Sequence, residues 1–151
     1  MRAVRFSEYG GPDVLRIVDV PEPTVTPDTV LVEVAAAGIN PADSKRRSGA
    51  TPIPMLPSGT GREFAGSVIA VGTDVTEFEV GDTVYGTGEG IIAERVAVAS
   101  TMLTHVPYGL DRITASTIPV AAQTAAVAVA SQQLTADDVV LISAAAGGVG
   151  H

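Results

Sequence analysis

The chain has 151 residues, enough for a domain with its own core, and its 46% hydrophobic and 17% charged content is that of a folded globular protein. A net charge of −8, with Lys45-Arg46-Arg47 as its basic cluster, argues against a nucleic-acid partner. The absence of cysteine excludes disulfides and thiolate metal sites, and two histidines, His105 and His151, cannot build a zinc site by themselves.

Strands are expected at Val4 to Phe6, Leu15 to Val20 and Val30 to Ala37, which are rich in β-branched residues. Gly10-Gly11-Pro12 separates the first two as a turn, and Pro21, Pro23 and Pro27 stiffen the connector to the third. Asn40 then suits a helix cap and Pro41 the first helical position, opening a short helix through Arg47 that Gly49 ends. The proline- and glycine-rich stretch 51–61 reads as a loop. Further strands are expected at Phe64 to Val71, Thr83 to Tyr85, Ala93 to Val98 and Met102 to Val106, divided by turns at Gly72-Thr73-Asp74 and Gly81-Asp82 and by a loop at Thr87 to Gly90. Many short strands at close spacing point to a barrel or sandwich.

The character changes after Pro107. Asp111 to Ser116 reads as a short helix and Val120 to Gln133 as a longer, alanine-rich one. Val139-Val140-Leu141-Ile142-Ser143 reads as a buried strand running into the glycine turn Ala146-Gly147-Gly148-Val149-Gly150. Against the dinucleotide fingerprint this turn is Ala145-x-Gly147-x-x-Gly150, with alanine in the first glycine slot. A helix following such a turn would hold a pyrophosphate at its N-terminus, and the sequence stops where that helix should begin. The expected architecture is mainly β: a barrel over residues 1–115, then the first helix and strand of a Rossmann α/β domain over 116–151, with the boundary inside 107–118. No apolar run reaches membrane-spanning length. No signal peptide or lipid anchor is expected ahead of the first strand, so the cytoplasm is the expected compartment.

Four segments in this order resemble the medium-chain dehydrogenase/reductase superfamily, in its zinc-free quinone oxidoreductase branch. They are Gly38-Ile39-Asn40-Pro41-Ala42-Asp43; Gly61 to Val68 with Val71-Gly72; Gly81 to Gly86; and Gln123-Thr124-Ala125 followed by the terminal glycine turn. The resemblance covers essentially the whole chain. It implies a GroES-like β-barrel followed by a Rossmann domain, with the active site in the cleft between them, and a full-length protein much longer than 151 residues. The zinc-binding cysteine and histidine of the alcohol dehydrogenase branch fall at Asn40 and Arg62, and its proton-relaying hydroxyl falls at Ala42. Without a Lewis acid and a relay, oxidation through a zinc alkoxide is implausible. Hydride delivery from NADPH to a quinone or conjugated enone remains, since such acceptors need only positioning and polarisation.

On this resemblance the catalytic candidates are Asn40, Asp43 and Lys45. The cofactor candidates are Asn40, Thr124, Ala146, Gly147, Gly148, Val149 and Gly150, with NADP as cofactor and no metal. Each candidate has a plainer reading beside the functional one. Asn40 donates its amide to a nicotinamide carboxamide or a substrate carbonyl, or caps a helix, or both. Asp43 orients active-site groups or merely suits a first helical turn. Lys45, the single lysine, steadies a phosphate, a ribose or a developing enolate, or is solvated. Arg62 reaches the cleft or pairs with an acidic neighbour. The Thr124 hydroxyl lies near the nicotinamide or bonds its own helix. Glu63, Gly66 and Gly72 serve the barrel.

The expected partner is a small quinone or enone, in a homo-oligomer, with no nucleic acid and no membrane. The rival expectation is a non-catalytic GroES-like fragment or interaction module. A lone helix and strand leave apolar surface exposed, so residues after about Ala115 are expected to pack unusually, to swap with a partner, or to belong to a longer polypeptide. A reductase of thioester-linked enoyl groups would use the same chemistry.

Overall fold

A computed structural model describes residues 1–150. Two antiparallel sheets carry the first two thirds of the chain. The smaller holds β1 (Arg2–Phe6), β2 (Arg16–Asp19) and β4 (Ser58–Gly59), in the order β2-β1-β4. The larger holds β3 (Thr29–Gly38), β5 (Glu63–Val71), β6 (Thr83–Thr87), β7 (Arg95–Ala99) and β8 (Leu103–His105), in the order β7-β3-β5-β6-β8. An isolated bridge between Ala3 and Ala93, flanked by hydrogen bonds from Val4 N–H to Ile92 and from Glu94 N–H to Arg2, ties the sheets together.

Alternation along β3, β6 and β7 sets the core, and β5 is buried on both faces over its first four residues. Val30 and Val32 on β3, Phe64 and Val68 on β5, Val84 on β6, and Val96 and Val98 on β7 are buried, and Ile91 joins them from the loop before β7. Period-two burial is what a pleated strand imposes when one face meets the interior. The β3–β5 ladder shifts register between Leu31 and Val32 and again between Val34 and Ala36. Such irregularities bend a strand and increase its twist, which suits a sheet curling around a core.

The helices form where turn and cap chemistry place them. Helix α1 (Pro41–Ser48) starts on Asn40 with Pro41 at its first position and stops at Gly49, whose φ of 82° is a left-handed conformation that side chains disfavour. Helix α2 (Arg112–Ala115) is capped by Asp111, whose carboxylate accepts from the N–H groups of Ile113 and Thr114. Helix α3 (Pro119–Ser131) follows, and both α2 and α3 pack over β5 and β6.

The structure departs from expectation in two places. The predicted loop 51–61 contains the two-residue strand β4, paired to β1 through Arg5↔Gly59 and Phe6↔Ser58. The predicted buried strand at Val139 to Ser143 is neither a strand nor buried: Val139 is 99% and Leu141 95% exposed. A strand of a parallel sheet is defined by its neighbours, and no strand among the described residues pairs with this run. The α3 helix forms, while its outer residues Val127 and Val129 also face solvent.

Candidate functional site

The site is built around one buried carboxylate. Glu63 opens β5 opposite Gly38, the last residue of β3, and is only 3% exposed. One oxygen, Oε1, accepts from the Asn40 side-chain amide at 2.7 Å. The other, Oε2, accepts from the Val120 backbone N–H at 2.8 Å. Val120 is the second residue of α3, so its N–H is among those a helix leaves without an internal partner, at the positive end of the helix dipole. A buried carboxylate is tolerated only when its lone pairs are satisfied, and these two bonds do so from two different parts of the chain. The glycine at 38 is a packing requirement: a Cβ there would lie 2.3 Å from Oε1 of Glu63.

Asp43 performs the adjoining task. It is 7% exposed, accepts from the Asn40 backbone N–H at 2.8 Å through Oδ2, and accepts from the Gly61 N–H at 3.2 Å through Oδ1. It thus closes the first turn of α1 and pins it to the segment entering β5. Asn40 is held by its backbone to Asp43 and by its side chain to Glu63. A side-chain amide carries two N–H donors, and the Glu63 bond uses one.

Asn40 and Glu63 share a cavity of about 490 Å³ with Gly38, Ile39, Ala121, Ala122, Gly148 and Val149. Thr114, Thr117, Ile118 and Ala125 complete the wall. The Thr114 hydroxyl is already donated to Asp111 at 2.7 Å, and this bond, with those from the Thr114 and Ile113 N–H groups, holds the Asp111 carboxyl below the usual carboxylate range. The volume lies in the range of small-molecule sites, and its lining joins apolar walls to a few polar groups. A larger concavity of about 980 Å³ lies between α3 and the terminal segment, lined mostly by apolar residues including Val129, Val139 and Leu141. No ionisable side chain lines it, whereas the smaller cavity holds the Glu63 carboxylate and the Asn40 amide.

The structure distributes the predicted residues unevenly. Asn40, Gly148 and Val149 meet in the 490 Å³ cavity, while Gly147 and Gly150 line the larger concavity. Ala146 lines neither, and Asp43 stands behind Asn40. Lys45 is exposed on α1, and among the described residues its ammonium has no partner. The Thr124 hydroxyl donates to Val120 O at 2.6 Å, one turn back in its own helix, and Thr124 is exposed. Arg62 pairs with Glu89 at 2.6 Å, and Arg46 reaches the same carboxylate at 2.9 Å, so one acidic residue of the 87–90 loop holds two guanidinium groups. Among the described residues no three His, Cys, Asp or Glu side chains converge as a metal site would require.

Glu63 is the residue that sequence reasoning underrated, as a barrel element. Its signal was long-range: Asn40 lies 23 residues before it and Val120 lies 57 after.

Residues 26–108 match the alcohol dehydrogenase GroES-like domain family. The chain is 40% identical over 152 residues to a quinone oxidoreductase of Pseudomonas aeruginosa, covering 99% of this chain and 47% of the relative. It is 36% identical over 164 residues to a chloroplastic NADPH-dependent alkenal/one oxidoreductase of Arabidopsis thaliana, covering 99% of this chain and 42% of that one. Among solved structures, the Escherichia coli quinone oxidoreductase complexed with NADPH superposes with a TM-score of 0.89 at 31% identity, covering 99% of this chain and 47% of the other. The chain spans about half the length of the curated relatives it matches.

Proposed function

Because this chain belongs to the alcohol dehydrogenase GroES-like family, among the quinone oxidoreductases of the medium-chain dehydrogenase/reductase superfamily, we propose that it serves hydride transfer from NADPH to a quinone or conjugated enone. The observation that carries this reading is the Asn40 amide, fixed by Glu63 and facing a cavity that also contains part of the terminal glycine turn. Residues 1–115 form the GroES-like catalytic unit in this reading, and 116–151 open the nucleotide-binding unit.

The terminal turn leaves room for a dinucleotide, with the Gly147 and Gly150 N–H groups donating within the turn to the Ala144 and Gly147 carbonyls. No neighbour lies within 4 Å of where a Cβ on Gly148 would stand, so a ligand can approach that backbone closely. A Cβ on Gly150 would meet the Ala144 carbonyl oxygen at 2.3 Å, so the turn is as tight as its glycines permit. Gly147 to Gly150 would hold the pyrophosphate, and Asn40 the nicotinamide carboxamide or the acceptor carbonyl. Lys45 and Thr124 are assigned supporting roles toward ribose or nicotinamide. When bound, the reduced nicotinamide supplies the hydride. Asn40 orients and polarises through its remaining amide N–H, and solvent delivers the closing proton, giving a hydroquinone or a saturated ketone.

Zinc-free chemistry is part of this proposal. It is supported by what occupies the two positions of the zinc-binding residues: Asn40 donates its amide to Glu63, and Arg62 is engaged with Glu89. Neither is a ligand for a divalent ion. Titration of the chain with NADPH, followed by nicotinamide fluorescence with intact mass recorded on the same sample, tests the reading. Saturable binding, lost in Asn40→Ala, supports it. Absence of saturable binding at the mass of 151 residues removes cofactor binding from this chain. The exposed run Val139 to Ile142 then favours a second reading, an interaction module that uses that apolar surface.

A further inference from the structure

The Glu63 carboxylate sits where three separate pieces of chain meet: the end of β3 at Gly38, the cap of α1 at Asn40, and the first turn of α3 at Val120. Each oxygen is committed to a different piece. Carboxylate oxygens only accept, so the Asn40 group facing Glu63 must be its amino group. The direction of the whole amide plane follows. Gly38 leaves the room that lets the carboxylate lie there, and Asp43 fixes the Asn40 backbone so that the side chain pivots from a set point.

We propose that Glu63 is a positioning residue: it sets which face of the Asn40 amide meets the cavity and locks that choice to the placement of α3. The ligand it serves is the one assigned above, so the functional part of this inference rests on that reading. The geometric part does not. Through Oε2 the same carboxylate holds the helix carrying Ala121 and Ala122, which also line the cavity. A displacement of α3 would therefore move Glu63 and, with it, the Asn40 donor. Donor and wall are set by one group.

Glu63→Gln separates orientation from mere attachment. An amide at 63 keeps its carbonyl for Val120 N–H and turns an amino group toward Asn40, which must flip to accept. The donor that faced the cavity is then exchanged for another face of the amide. Asn40→Asp combined with Glu63→Gln rebuilds the bond with reversed polarity, since a carboxylate at 40 accepts from the amide at 63. This pair restores the packing without restoring the donor.

Two measurements on the ¹⁵N-labelled chain decide the matter. The first follows the Asn40 side-chain amide protons. In the parent chain they are expected to be separated in shift and slow to exchange with solvent, and Glu63→Gln is expected to abolish both features. Unchanged Asn40 amide signals in Glu63→Gln would overturn the proposal. The second compares melting temperature with NADPH affinity. The double variant is expected to recover the parent melting temperature while NADPH affinity stays at least about tenfold weaker, the loss of one oriented donor to a ligand. Recovery of both would show that Glu63 acts only as structural glue and would also overturn the proposal. If Glu63→Gln does not fold, the parent signals and the double variant still decide. If the parent chain itself does not bind NADPH, the functional reading fails, while the Asn40 amide signals still test the positioning claim.

Discussion

Gly38 and Glu63 face each other across the β3–β5 ladder, and the carboxylate of one fills the space that a side chain on the other would need. Gly38→Ala would drive a methyl group to 2.3 Å from Oε1 and 2.6 Å from Cγ of Glu63. A free glutamate could swing aside; this one is buried and bonded at both oxygens. We expect a loss of about 1–3 kcal/mol by urea unfolding, the usual range for forcing extra volume into a packed site. A loss within experimental error would show that Glu63 can move without consequence.

Asp43→Ala leaves two backbone N–H groups, of Asn40 and Gly61, without their acceptor. Cap removal and a desolvated donor together predict about 2 kcal/mol of destabilisation. Asp43→Asn keeps one acceptor oxygen and should retain part of that stability. Chemical denaturation of the three proteins gives the ranking, and an alanine variant as stable as the parent would remove Asp43 from the framework of the site.

The Asp111 carboxylate gives a pH signature. Its bonds from the Thr114 hydroxyl and N–H and from the Ile113 N–H hold it below its ordinary value of 3.8. A lowered carboxylate contributes stability that is present above the ordinary value and is lost as pH falls through the lowered one. Asp111→Asn should therefore melt below the parent at pH 6, and the gap should close as both are acidified below pH ~4. A gap that persists unchanged at low pH would mean that the capping charge is not its source.

Glu89 holds Arg46 and Arg62 on the surface, with its side chain 61% exposed. Glu89→Gln should cost less than about 1 kcal/mol at moderate salt, as exposed ion pairs do. A thermal melt in low and high salt checks this, and a larger loss would reveal that the 87–90 loop depends on the pair.

The apolar run Val139 to Ile142 predicts self-association of the 151-residue chain. Leu141 is 95% exposed and Val139 99%. Leu141→Glu with Val139→Glu should shift the sedimentation profile toward monomer. Identical profiles before and after substitution would place any association elsewhere.

Much of the barrel was legible because its determinants are local. β-branched runs marked β3 and β5, prolines and glycines marked the turns, and Asn40-Pro41 with Gly49 bracketed α1. β4 escaped because Ser58 and Gly59 have no strand pattern of their own; Arg5 and Phe6 recruit them. Val139 to Ile142 misled for the opposite reason: the pattern is a strand's, while the ladder needs partners that the pattern cannot supply. At the site, Asn40 was visible as a cap before a helix, whereas Glu63 looked like an ordinary acidic residue entering a strand. Its meaning comes from contacts with Asn40 and Val120, which no window around residue 63 contains.

The bond from Val120 N–H to Glu63 makes a single amide proton a gauge of a distant event. That proton exchanges with solvent when α3 lifts from the barrel or the carboxylate lets go, and the second of these motions releases Asn40 as well. The exchange rate at Val120 would thus set an upper bound on how often the Glu63 carboxylate lets go of both partners, read at an atom that no ligand need touch.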